Sequence, residues 1–281
     1  MRLTLLTANK YHRLYRYLKE YTTERYKKDD LPLTAVDYAY IDGLNTFMQT
    51  AHNCKNNGAV NLLCCLKNFM LYALRNEWIE KNPFQHYKMK PEHNKDKDHL
   101  TKAELETLIN KPMPNERLER IRDVFTFCCL TGLAFTDADH LRPEHIGADA
   151  NGTLWIHKPR EKTAIMSRIP LLPYTIELLR KYESDKTCRE RGRMLPIPSN
   201  NKMNAYLKEI ATICNIDKTL TTHVARHTFA CLAVEYGMPI DVLAKILGHS
   251  NTNMTRHYAK FSEQLIGREM QKIGQVFAAA N

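Results

Sequence analysis

One short stretch governs what this chain can become. Residues 87–97, YKMKPEHNKDK, are polar and charged, and Pro91 blocks regular structure there. On either side, apolar residues recur at helical spacing. A chain of 281 residues is longer than one core usually serves. The break therefore predicts a helical domain over 1–90, a linker over 91–99 and a second domain over 100–281.

The first domain reads as three helices. Over 8–27, Tyr11, Leu14, Tyr15, Leu18 and Tyr21 fall three or four residues apart and predict one apolar face. Asp29-Asp30-Leu31-Pro32 breaks it, and Thr34 reads as the N-cap of a helix over 35–52. Asn56-Asn57-Gly58 reads as a turn. A third helix over 59–78 then carries Leu62, Leu63, Leu66, Phe69, Met70 and Ala73, and Asn82-Pro83 stops it. Beyond the linker, Thr101 and Glu104 have the spacing of a capping box. Helices are expected over 119–131, 173–183, 201–214, 222–236, 240–247 and 261–276. Two strands, 153–157 and 167–171, enclose a charged turn. The fold class is mostly α: a helical N-terminal domain and an α-rich second domain with a small antiparallel β-sheet.

The formal charge of +10 is shared by both sides of the linker. That suits a polyanionic partner touching both domains, and equally a basic protein without one; charge alone leaves both open. Eight cysteines follow no framework. Cys64-Cys65 and Cys128-Cys129 are adjacent inside apolar segments, which fits reduced core thiols. Four ligands at finger or ribbon spacing cannot be assembled, so no zinc site is expected. No run of ~20 apolar residues offers a membrane span, and the charged N-terminus lacks the apolar core of a secretory signal. A cytoplasmic, nucleoid-associated protein is expected.

The chemistry concentrates near the C-terminus. His223-Val-Ala-Arg226-His is followed by Leu247-Gly-His249 and then by Arg256-His-Tyr258. On a helix, His223 and Arg226 share a face and can reach one ligand. Arginine offers a planar fork for phosphate oxygens, and histidine exchanges protons near neutral pH. Fourteen tyrosines are present, so Tyr258 stands out only through these ordered neighbours.

In that order the chain resembles the tyrosine recombinases, the integrases of phages, conjugative transposons and other mobile elements. The resemblance runs from Thr131-Gly132-Leu133, through a lysine between the two strands, to HxxRH, LGH and the terminal tyrosine. It covers the catalytic half closely. The first domain is similar, more loosely, to the family's SAM-like core-binding domain. The resemblance implies that Tyr258 attacks DNA to form a 3′-phosphotyrosyl bond. Arg226 would clamp the phosphate, His223 would serve as proton acceptor or hydrogen-bond partner, and His249 would donate to the phosphate. Lys162, in Arg160-Glu161-Lys162-Thr163, would be the general acid. No metal or nucleotide cofactor is implied, because the covalent intermediate conserves the bond energy. The implied partners are double-stranded DNA gripped in a C-shaped clamp, a homotetramer assembled on it from chains monomeric when free, and an accessory DNA-bending protein. The helix over 261–276, with the apolar tail Ala278-Ala279-Ala280, is a candidate to dock on a neighbouring protomer, and equally to pack on its own domain. A non-catalytic DNA-binding relative and a topoisomerase-like enzyme are the alternatives.

One departure stands out. After Thr-Gly-Leu the family pattern has the first of two phosphate-clamping arginines, and this chain has Ala134. Removing such a donor costs on the order of 10²–10³ in rate. Arg122, twelve residues upstream, is expected to fill the gap, as an Arg-Asp pair is similarly placed in some conjugative-transposon integrases. Asp137 is expected to support the site without acting in it.

Overall fold

A computed structural model describes residues 5–92, 98–256 and 258, with 267, 270, 271 and 275 beyond them. Two compact units, Met1–Lys95 and Asp96–Asn281, make up the chain.

The first unit is built on α1 (Leu5–Tyr26), α2 (Tyr38–Thr50) and α3 (Asn56–Arg75), which pack pairwise. Leu14, Tyr17 and Tyr21 of α1 meet Ile41, Leu44 and Met48 of α2 and Leu63, Leu66 and Met70 of α3. Tyr15, expected on this face, is 67% exposed. It lies ~100° round the helix from Leu14. Phe69 is also exposed, at the margin of its apolar face.

Two boundaries differ from expectation. Thr34 does not cap α2, because Leu33–Ala35 forms a 3-10 turn behind Pro32. The cap is Asp37, whose carboxylate accepts the Tyr40 amide at 2.8 Å, a charged acceptor suited to a helix N-terminus. Asn56 and Asn57 open α3 and do not form a turn. Asn56 Nδ2 donates to the Lys90 carbonyl at 2.9 Å, and the Asn57 amide exchanges two hydrogen bonds with the Glu92 backbone. The asparagines thus hold the segment that follows the bundle.

In the second unit, α4 (Lys102–Asn110) starts with the expected capping box: Thr101 and Glu104 satisfy each other's amides. α5 (Glu116–Thr131) begins three residues earlier than expected, since Asn115 accepts the Leu118 amide at 3.0 Å. Its Phe125 and Phe127 are fully buried. α6 (Phe135–Asp139) leads to a three-stranded antiparallel sheet of β1 (Ile146–Ala148), β2 (Leu154–Pro159) and β3 (Met166–Pro170), in that spatial order. The register sets Ile156 opposite Ile169, both buried. β1 escapes sequence reading, being three residues with a central glycine and no alternation. Then come α7 (Pro173–Tyr182), α8 (Lys186–Arg191), α9 (Asn200–Ile213), α10 (Thr222–Glu235), α11 (Ile240–Ile246) and α12 (Asn253–Arg256). The helix expected over 261–276 lies largely outside the described residues; of it, 267, 270, 271 and 275 are helical. The 278–280 tail lies outside them.

α10 packs along α5, and the Leu100 amide donates to the buried Thr228 hydroxyl of α10 at 2.9 Å. α5 ends at Gly132 in the left-handed conformation, φ 70°. A Cβ there would lie 2.4 Å from Phe229 Cδ1, so glycine lets the end of α5 meet α10. The eight cysteines are free thiols. Among the described residues, no helix is long and apolar enough to cross a membrane.

Candidate active site

The site is assembled where the end of α5, the start of α10 and the end of α11 converge. Thr221 caps α10 by accepting the Val224 amide. The Thr222 amide and hydroxyl donate to Asn204 and Asn200 of α9 at 2.9 and 3.0 Å. These bonds fix the helical turn that carries His223 and Arg226. His223 is exposed, and its ring meets that of His227 edge-on at 4.5 Å. Arg226 points inward and is 3% exposed.

Arg226 is the hub. Nη1 donates to the Gly132 carbonyl at 2.7 Å, and Nη2 to the Leu247 carbonyl at 2.5 Å. Both acceptors are carbonyls left over at helix ends. Nη2 also lies 3.1 Å from His249 Nε2. Burial, with Arg160 nearby, lowers its pKa to about 10, so the guanidinium stays charged at neutral pH.

That bond dictates the histidine tautomer. Arginine can only donate, so Nε2 of His249 accepts and Nδ1 carries the proton. Nδ1 then donates to Thr255 Oγ1 at 2.8 Å. Burial, with Arg226 and Arg160, pulls the imidazole down to about 4. In the free protein His249 is neutral, and its inward nitrogen is an acceptor where a donor was expected. The unfolded chain, with a histidine near 6.5, takes up the proton first. The stability linked to His249 is full above about pH 6.5 and lost as pH falls towards 4. His145 is lowered too, by burial and by Lys158, so the readout is a difference between two chains. Thermal melts should show the wild type losing stability through this window more steeply than His249→Gln. Parallel curves would contradict the assignment.

Tyr258 completes the group. Its ring stacks on His249 with centroids 6.4 Å apart and planes at 12°, and lies 5.1 Å from the His227 ring. Below it lie Ala230, Val234, Leu243 and Leu247. Burial raises the phenol above its ordinary value, while Arg226 and Arg160 pull it down. A phenol held between desolvation and two cations is in an electrostatic setting that can support a phenolate.

Lys162 is exposed, on the turn joining β2 to β3. The turn is docked on the strip before His249: Thr163 Oγ1 donates to the Gly248 carbonyl at 3.1 Å. Gly248 has φ 60°, and a Cβ there would meet Ser167 Oγ at 2.7 Å. Buried Asp137 accepts the Glu161 amide at 2.8 Å and so anchors the turn.

Arg122 is not brought to this group, contrary to expectation. Its Nε and Nη2 donate to Asp123 at 2.9 and 2.8 Å, and Nη1 to the Lys111 carbonyl at 2.9 Å. It belongs to a network around the fully buried Asp123, which also accepts from Lys181 and Tyr182. Sequence reading also passed over Thr255 and the Gly132 carbonyl. Thr255 carries no motif signal. Gly132 was visible only as part of Thr-Gly-Leu.

A model of the phage integrase family matches residues 98–264. The chain belongs to that family. A model of the phage integrase SAM-like domain matches residues 2–89. Among relatives, the tyrosine recombinase XerD of Staphylococcus aureus (strain Mu50) is 26% identical over 212 residues, 72% of this chain and 70% of that protein. The XerD of Lacticaseibacillus casei is 23% identical over 237 residues, 79% and 78%. The fold matches the Tn1549 transposon integrase in complex with a circular intermediate DNA, TM-score 0.74 at 18% identity, covering 96% of this chain and 95% of that one. It also matches the XerH site-specific recombinase bound to a palindromic difH substrate, TM-score 0.72 at 18% identity, covering 95% and 79%. In this chain the HxxR helix, the LGH end of α11 and Tyr258 are the segments that the fold gathers around Arg226.

Proposed function

We propose that this recombinase cuts and rejoins double-stranded DNA through a 3′-phosphotyrosyl bond at Tyr258, to integrate or excise a mobile element. The observation that carries this is the convergence of the Tyr258 ring, the His249 imidazole and the Arg226 guanidinium in one half-buried niche. The solved neighbours named above hold DNA, which supports DNA as the substrate here.

The chemistry follows from the groups. His223 takes the proton of the Tyr258 hydroxyl as its oxygen attacks the scissile phosphorus, and the bond to the 5′ oxygen breaks. Charge builds on the non-bridging oxygens, where Arg226 and His223 donate. His249 reaches the phosphate as a donor once the anion's field has raised its pKa and a proton has bound Nε2. Lys162 delivers a proton to the departing 5′ oxygen from its exposed turn. Rejoining reverses these transfers, and the energy stays in the phosphotyrosyl bond. Four protomers acting on two duplexes would complete the exchange. Affinity should come mainly from phosphate contacts, with log K falling by ~0.9 per contact per log unit of salt.

The test is a nicked suicide substrate, from which the cut fragment diffuses away. The wild type should accumulate a covalent protein–DNA adduct that survives denaturation, and Tyr258→Phe should give none. A wild type that binds the site but forms no adduct would favour a non-catalytic DNA-binding role. DNA relaxation without exchange between sites would favour a topoisomerase.

A further inference from the structure

Ala134 leaves one phosphate-binding position without its arginine, and Arg122 is engaged elsewhere. The structure offers another cation. Arg160 lies at the junction of β2 and the turn carrying Lys162, and its backbone is held three ways. Its amide donates to the Ile165 carbonyl at 2.9 Å, and its carbonyl accepts from Thr163 and Ala164 at 3.3 and 2.8 Å. The side chain runs inward and is 10% exposed. Nη1 lies 3.5 Å from the Gly248 carbonyl. Arg226 donates to the preceding carbonyl, Leu247. Two guanidinium groups therefore sit on consecutive carbonyls of the strip that ends in His249.

This pair is short of negative charge. Arg160 Nε is buried and, among the described residues, without a hydrogen-bond partner. Among the described residues the nearest carboxylate oxygen, Asp137 Oδ2, is 3.8 Å away, and the other oxygen of Asp137 is occupied by the Glu161 amide. A buried donor with no acceptor and two like charges side by side are both costly. An anion with several oxygens placed between them removes both costs. The field of Arg160 also reaches Arg226, His249 and Tyr258, lowering the pKa of each. One cation thus acts on Tyr258 and on two of the groups proposed to hold the phosphate. Asp137, beside Arg160, is one helical turn from Ala134 on α6, so the replacement borders the vacant position.

We propose that Arg160 is the second phosphate-clamping arginine of this recombinase, contacting the scissile phosphate from the β2–β3 turn in place of a side chain at position 134. This rests on the reading of Tyr258 as the nucleophile. It also couples the clamp to the general acid, because Arg160 and Lys162 share one turn and reach the phosphate together.

The test measures adduct formation with two suicide substrates, one with an ordinary scissile phosphate and one with a neutral methylphosphonate there. On the phosphate, Arg160→Ala should slow the reaction on the order of 10²–10³-fold relative to wild type. On the methylphosphonate, which lacks the charged oxygen, the difference should shrink to about tenfold or less. A purely structural role would lower both rates alike. Should Arg160→Ala fail to fold by thermal melt, Arg160→Lys supplies the same comparison, since a lysine cannot reproduce the fork. A wild-type rate for Arg160→Ala, or an equal loss on both substrates, overturns the proposal and leaves the Tyr258 reading intact. Absence of any adduct from the wild type overturns both.

Discussion

Arg226→Ala is expected to reduce DNA cleavage by at least 10²–10³-fold, the cost of one missing transition-state donor. The loss should exceed that figure, because Arg226 also builds the site. Its two nitrogens join the ends of α5 and α11 through the Gly132 and Leu247 carbonyls, and one of them fixes the His249 tautomer. Without it, two carbonyls and an imidazole nitrogen lose their donor in a buried place, at about 1–3 kcal/mol each when unsatisfied. The charge also disappears from beside Tyr258, so the phenol keeps the rise caused by burial with less to counter it. Cleavage followed against pH separates these effects. Arg226→Ala should be slow at every pH and should recover in part as alkaline conditions ionise the phenol. A variant within tenfold of wild type would remove Arg226 from the centre of the site.

Asp123→Ala is expected to lower stability by about 3–5 kcal/mol, the usual cost of removing one partner from a buried ion pair. Asp123 is fully buried and accepts from Arg122, Lys181 and the Tyr182 hydroxyl. Its loss strands the tyrosine hydroxyl and unties α7 from α5. For a domain of this size that corresponds to a fall in Tm of roughly 6–20 °C. Arg122→Ala should act in the same direction and more weakly, since Lys181 and the Tyr182 hydroxyl still donate to Asp123. Cleavage per folded molecule should stay near the wild-type rate in Arg122→Ala. A selective loss of cleavage at full stability would restore Arg122 to the site and contradict its placement.

The helices were legible because their signals are local. The Thr101–Glu104 capping box and the HxxR spacing on α10 can be read within four residues. What escaped depends on partners distant in sequence. Asn56 and Asn57 have turn chemistry, yet their amides bond Lys90 and Glu92. The three residues of β1 gain their conformation from pairing with β2. The arginine question shows the limit most clearly. Arg122 has the right residue type near the right motif, but it lies ten residues before Gly132, ~15 Å along α5. That is too far for its side chain to join Arg226. Arg160 lies farther from Ala134 in sequence, and the β2–β3 turn folds back onto Gly248 and brings it there. No periodicity within the chain announces that return.

Of the fourteen tyrosines, Tyr258 is the one proposed to carry the DNA. The most direct measurement is to trap the adduct on a suicide substrate, digest protein and DNA, and locate the linked nucleotide by mass spectrometry. The expected product is a nucleotide joined through its 3′ phosphate to the tyrosine of the peptide spanning 257–260. A nucleotide on any other residue, or a 5′ linkage at Tyr258, would contradict that assignment.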